Sequence, residues 1–213
     1  MRYNSFFRSA KLRLAVSMLL LTSLLSISAL GAPSILLVDG KTSVVLSSEF
    51  IGALGTLQVT PGAVGAGTLR SGVASFPVTG GALDLANAKG EINHSGGLSL
   101  SAGTTRVQLL SFNIDTTGTT PVLTGLVTVN GDVVGRLPLF TLTLPALTLP
   151  IQPGAFGTLF VPGVQVRLSG EAATALNSIF RVTAFTEGFN IGTASVYGVT
   201  AGRRIFFAPS NDN

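Results

Sequence analysis

From Val73 onward the dominant pattern of the chain alternates apolar and polar residues with a period of two. Leu98-Ser-Leu-Ser101 and Phe140-Thr-Leu-Thr-Leu144 are the clearest stretches. That period sends successive side chains to opposite faces of a strand, one packed and one wet, and Val and Thr suit such a surface. Gly80-Gly81, Gly90 and Gly96-Gly97 punctuate the pattern at near-regular spacing. Turns so placed fit a meander or sandwich and not alternating βαβ units. The pattern predicts a mainly β protein: an antiparallel two-sheet, sandwich-like domain with two short helices.

Two local features sharpen this reading. Val127-Thr-Val129 and Val133-Val134 flank Asn130-Gly131, and a tight primed turn needs positive φ at both central residues, so a hairpin is predicted there. Between Arg106 and Asp115 the alternation slips, because Val107 and Leu109 share one phase and Leu110, Phe112 and Ile114 the other. A β-bulge at Leu109-Leu110 would keep all five inward.

The helices are read from an internal resemblance. Val44 to Leu57 aligns without a gap on Val166 to Ile179, matching Leu46 with Leu168, Ser47 with Ser169, Glu49 with Glu171 and Leu54 with Leu176. Each copy reads as a strand whose final Ser caps a short helix, with Glu in the first turn beside the unpaired amides. The copies represent either internal pseudo-symmetry or one local solution found twice. Pro61 to Gly67 reads as a Gly/Pro/Ala loop, and Pro145 to Gly163 as extended and irregular.

The amino terminus carries different information. Arg2, Arg8, Lys11 and Arg13 precede an uncharged apolar run from Leu14 to Leu30 that closes on Ala29-Leu30-Gly31. This is the form of an export leader, so residues 1–31 are read as a signal peptide and 32–213 as a single domain. If the leader is retained, the same run would serve as an anchor. Four of the thirteen basic residues lie in the leader, which leaves nine against nine acidic ones. The formal charge of +4 thus belongs to the leader, and no basic surface argues for nucleic acid. No later stretch has the ~20 apolar residues of a membrane-spanning helix. The chain has no cysteine, which removes disulfides, thiolate chemistry and a lipoprotein anchor.

Few residues offer chemistry. His94, the sole histidine, sits in Gly90-Glu-Ile-Asn-His-Ser-Gly-Gly-Leu98 where a strand runs into a glycine turn. It is either a ligand or proton donor at a pocket rim, or a turn histidine satisfied locally. Tyr197, in Gly192-Thr-Ala-Ser-Val-Tyr-Gly198, is either a residue at the edge of the core or a phenolate able to ligate ferric haem. No Gly-x-Ser-x-Gly elbow is present for a serine hydrolase. The carboxylates are scattered, and neither Asp115 nor Asp132 has the spacing of a calcium loop. An enzyme is not expected.

Phe76-Pro-Val-Thr-Gly-Gly81, Gly90 to Leu98, the Val107 to Asp115 strand and Leu123-Thr-Gly125 together resemble the HtaA domain. This haem-transport-associated module occurs in exported and surface proteins of bacteria. The resemblance is strongest over Phe76 to Gly135 and looser over Ala184 to Ala194. It implies a two-sheet antiparallel fold with short helices and, in haem-binding members, an axial tyrosine supported by a histidine. His94 falls at the position of that histidine. The family's tyrosine belongs to an N-terminal helix, where this chain has Ser48-Glu-Phe-Ile51 and no tyrosine.

The expectation is therefore an exported, non-catalytic binding module of HtaA type that takes haem or another apolar ligand, with His94 and Tyr197 as candidate ligand-binding residues. The alternative is a structural or adhesive envelope protein whose partners are other envelope proteins. In either case the chain is secreted, periplasmic or at the cell surface.

Overall fold

The computed structural model describes residues 34–201, so the expected leader at residues 1–31 lies outside the described residues. Along these, β1 (Ser34–Leu46) leads into α1 (Ser48–Thr56), followed by β2 (Thr60–Val64), β3 (Thr68–Arg70), β4 (Val73–Asp84) and β5 (Lys89–His94). Then come β6 (Gly97–Ala102), β7 (Thr105–Asp115), β8 (Val122–Val129), β9 (Asp132–Thr143), β10 (Thr158–Leu168), α2 (Gly170–Phe180) and β11 (Asn190–Thr200). The protein is mainly β and antiparallel, with two α-helices among the described residues.

The strands close on themselves where a two-sheet sandwich was expected. Hydrogen bonding runs β8-β9-β10-β11-β1-β4-β5-β7, and β7 pairs back onto β8, so eight strands form a closed barrel. Closure depends on the length of β7. Its carboxyl half pairs with β5 through Glu91, Ile92 and Asn93, and its amino half pairs with β6 on the same edge. The opposite edge pairs with β8. Closure leaves no free edge around the ring, and an eight-strand barrel is just wide enough for side chains to fill its interior.

The predicted bulge in β7 lies one residue further on. The β7–β8 register shifts between Leu110 and Asn113, and Ser111 takes φ +49°. Val107, Leu109, Phe112 and Ile114 are buried as expected, whereas Leu110 is only half-buried. The extra residue falls after Leu110, so Leu110 continues the alternation of the first half and points away from the core. Within the core, Phe112 meets Phe76 edge-to-face, with centroids 4.8 Å apart and planes at 78°, the geometry that aromatic quadrupoles favour.

The hairpin at Asn130-Gly131 forms as predicted, with φ +53° and +100° at the two residues and Val129 opposite Asp132. Both strand–cap–helix units also form. Ser47 Oγ accepts from the Phe50 amide at 3.0 Å, and Ser169 Oγ from the Ala172 amide at 3.0 Å. Each hydroxyl in turn donates to a carbonyl elsewhere in the fold, Asn190 at 2.8 Å and Pro138 at 2.6 Å. Leu54 and Leu176, the matched pair, are both buried. Pro61 to Gly67 is not simply a loop: its first half belongs to β2, which pairs with β6 from Thr60 to Val64. A proline is tolerated there because β2 is an edge strand. The irregular stretch after Pro145 ends where β10 begins at Thr158.

Candidate functional site

The strand alternation decides which way each candidate points. On β1, Lys41 is exposed and its neighbour Thr42 is buried. Thr42 lies opposite Phe76 on β4 and Val196 on β11, and Lys41 lies opposite Tyr197. The Thr42 row therefore faces the barrel interior, and the Lys41–Tyr197 row faces out. His94 belongs to the inner row, and Tyr197 to the outer one. The structure does not bring the two candidates together; the barrel wall separates them.

His94 is the last residue of β5, opposite Val78 on β4, and the register shifts just beyond that pair. The chain then leaves β5 through Ser95, whose amide donates to the Pro77 carbonyl of β4, and crosses to begin β6. Gly96 makes the crossing at φ +77°, and a Cβ there would stand 2.1 Å from the Gly67 amide nitrogen. Only glycine fits so close to a neighbouring backbone at that φ. His94 shares the inward face of β5 with Ile92, across exposed Asn93, and is 5 % exposed.

Inside, His94 Nε2 and Thr42 Oγ1 form a hydrogen bond of 2.7 Å. Nδ1 is buried and has no hydrogen-bond partner. Burial holds the pKa down from 6.5 to about 4; the backbone of Phe112 and of Ile92 acts in the opposite direction, without either reaching hydrogen-bond geometry on Nδ1. The ring is therefore neutral at ordinary pH. Thr42 is the partner of His94 that sequence reasoning missed. It is 52 residues from His94, and Lys41-Thr-Ser-Val44 reads as ordinary strand.

This pair lines a central cavity of about 40 Å³, otherwise bounded by apolar side chains including Ala74, Phe76, Phe112 and Ala194. A second cavity of about 40 Å³ lies beneath α2 and shares Phe140 and Ile191 with the first. A third of about 50 Å³ shares Ile114, Leu142, Val164 and Val196 with the central one. The cavities therefore follow one another through the core.

On the outer wall, Tyr197 is 39 % exposed and stands opposite Phe160 on β10 as well as Lys41 on β1. Phe160 is 63 % exposed, and Leu36 and Val38 are exposed on the adjoining strand. The remaining sequence candidates are structural. The Asp115 carboxylate accepts from the Thr117 amide and hydroxyl at 2.8 and 2.6 Å, bonds that hold its pKa below the ordinary value, and Asp132 begins β9 at the hairpin. Among the described residues no group of three or more His, Asp or Glu side chains could hold a metal ion.

The fold is similar to that of a solved structure, the C-terminal domain of HtaA from Corynebacterium glutamicum, with a TM-score of 0.62 and 17% identity, covering 78% of this chain and 99% of that one. The chain has an HtaA-like fold. The N-terminal domain of HtaA from the same organism superposes with a TM-score of 0.56 at 10% identity, covering 78% of this chain and 99% of that one. The heme binding protein HtaB from C. glutamicum superposes with a TM-score of 0.53 at 12% identity, covering 79% and 96%. No family model matches the sequence, and no curated protein matches it. The HtaA-like likeness is thus carried by the backbone.

A haem can be tested against each candidate. A drug-sized ligand needs a pocket of roughly 300–1,000 Å³, so a porphyrin does not fit the cavity of about 40 Å³ at His94. At Tyr197 the chemistry fits: a phenol that can ligate iron, an exposed aromatic at Phe160 for the ring, and the Lys41 ammonium for an anionic substituent.

Proposed function

We propose that this protein is an exported, non-catalytic binding module of HtaA-like fold that holds haem, or a similarly flat apolar ligand, on its outer wall at Tyr197. The observation that supports this most is the row Lys41, Tyr197 and Phe160, which presents a phenol, an aromatic face and a cation on three adjacent strands. The structural likeness to a heme binding protein supports haem as the ligand class to test first. His94 serves as an interior support for the wall and does not touch this ligand. The test is spectroscopic. Haemin added to the purified protein should give a bound Soret band that Tyr197→Phe abolishes; a spectrum unchanged from free haemin overturns the reading.

A second reading, an adhesive envelope protein, is favoured by apolar side chains exposed away from Tyr197. Val133 and Val134 project beside the Asn130-Gly131 turn, and Phe156 is 98 % exposed. Loss of binding to envelope proteins in a Val133→Ser, Val134→Ser variant that still binds haemin would establish it as a separate role.

A further inference from the structure

Both ends of the described chain come out at one end of the barrel. Ser34 opens β1 there, and the Ala201 amide, just past β11, donates to the Leu36 carbonyl at 2.8 Å. The long connection from β9 to β10 reaches this same end, because Thr158, where β10 starts, pairs with Val199 near the close of β11. That connection is tied down from beneath. Leu144, Leu147 and Ile151 line the third cavity, and the Ile151 amide donates to the Leu85 carbonyl at 2.8 Å. Leu149 is left exposed, and Phe156 almost wholly so. Phe156 is presented by a closed turn: the Gly154 amide donates to the Thr158 carbonyl at 2.7 Å, and the Thr158 hydroxyl to the Ala155 carbonyl at 3.1 Å. Within it Phe156 takes φ +59°, a conformation that bulky residues rarely adopt. Backbone strain of this kind gathers where a chain presents a group for contact.

The sequence on either side of these strands points to what covers the turn. Only Gly31, Ala32 and Pro33 separate Ser34 from the uncharged apolar run that ends at Leu30, and beyond Ala201 the chain reads Gly202-Arg-Arg-Ile-Phe-Phe207. Aromatic rings favour the interface of a bilayer, and a basic pair beside them suits lipid phosphates. We propose that this end of the barrel rests on a lipid bilayer, with Phe156 and Leu149 entering the interface between headgroups and acyl chains. Leu36 and Val38, exposed near the start of β1, lie toward the same surface. Within the described residues the contact is apolar insertion, since Asp39, Asp84, Lys89 and Asp115 at this end each hydrogen-bond to nearby chain. Neither Phe156 nor Leu149 belongs to the row of Lys41, Tyr197 and Phe160, so the contact does not rest on haem binding.

The chain has no tryptophan, so one introduced residue reports its own surroundings. The full chain carrying Phe156→Trp or, separately, Leu149→Trp is mixed with vesicles of phosphatidylcholine whose brominated acyl chains quench on contact. Emission from both positions should move to shorter wavelength and lose intensity. Val134→Trp, beside the Asn130-Gly131 turn at the other end of the barrel, should do neither. Unquenched emission at positions 149 and 156, or equal quenching at position 134, overturns the proposal. A shift at position 156 that appears without vesicles and grows with protein concentration overturns it in favour of a second copy of the chain. The same shift at every dilution, unquenched by the vesicles, overturns it in favour of the chain's own segment beyond Ala201. Haemin is absent throughout, so the haem reading and this one fail separately.

Discussion

The Thr42 hydroxyl and His94 Nε2 meet at 2.7 Å across β4, the strand that lies between theirs. Thr42 is in register with Phe76 and His94 with Val78, two buried residues of the same strand. A polar bond thus spans an apolar strand from the inside and ties β1 to β5. Removing the Thr42 hydroxyl takes away the side-chain hydrogen-bond partner of a buried imidazole. Thr42→Val should destabilise the protein by about 1–3 kcal/mol, whereas Thr42→Ser, which keeps the hydroxyl, should cost less. Urea unfolding checks the pair, and Thr42→Val combined with His94→Leu should cost less than the two single changes added together.

The same burial sets an acid limit on stability. His94 is neutral in the fold, with its pKa lowered from 6.5 to about 4. The unfolded chain therefore binds more protons than the folded one between those values, and stability rises with pH across that window. The contribution is complete above pH 6.5, declines as pH falls, and is lost below about 4. A shift of this size corresponds to roughly 3 kcal/mol. Thermal unfolding followed from pH 7 to pH 4 should show the decline, and a folded His94→Leu variant should show a flatter profile.

The two cap serines should differ in cost. Each removal frees a helix amide and orphans a carbonyl, for which about 1–2 kcal/mol is expected. Ser169 is buried and Ser47 is half-buried, so water replaces the lost partners more easily at Ser47. Ser169→Ala should therefore lower the urea midpoint further than Ser47→Ala. Equal effects would show that burial at the cap is unimportant.

Gly125 is buried on β8 for a packing reason. A Cβ there would stand 2.6 Å from Leu139 Cδ1 and 3.0 Å from Phe112 Cδ1. Both contacts are side-chain atoms, so the core can yield, but only by disturbing the Phe112–Phe76 pair. Gly125→Ala should cost about 1–3 kcal/mol, the usual range for overpacking. The near-ultraviolet circular dichroism of the aromatic residues should change with it, and an unchanged spectrum would argue against the packing.

What the sequence determined by itself was local. Asn130-Gly131 made a hairpin because its backbone angles are set within two residues, and Ser47 and Ser169 capped helices because their partners lie three residues away. The HtaA-like fold, too, was legible in the resemblance read over Phe76 to Gly135, and the structural likeness agrees with it. Tertiary structure alone decided the rest. Alternation shows that a strand has two faces and is silent on whether its last neighbour closes a ring; only β7, pairing on both edges, did that. Nor does a period of two say which face is inside. Thr42 and His94 meet, and Tyr197 is turned away from them, because strands far apart in sequence settled into one register, and a shift of a single residue would have exchanged inside for out.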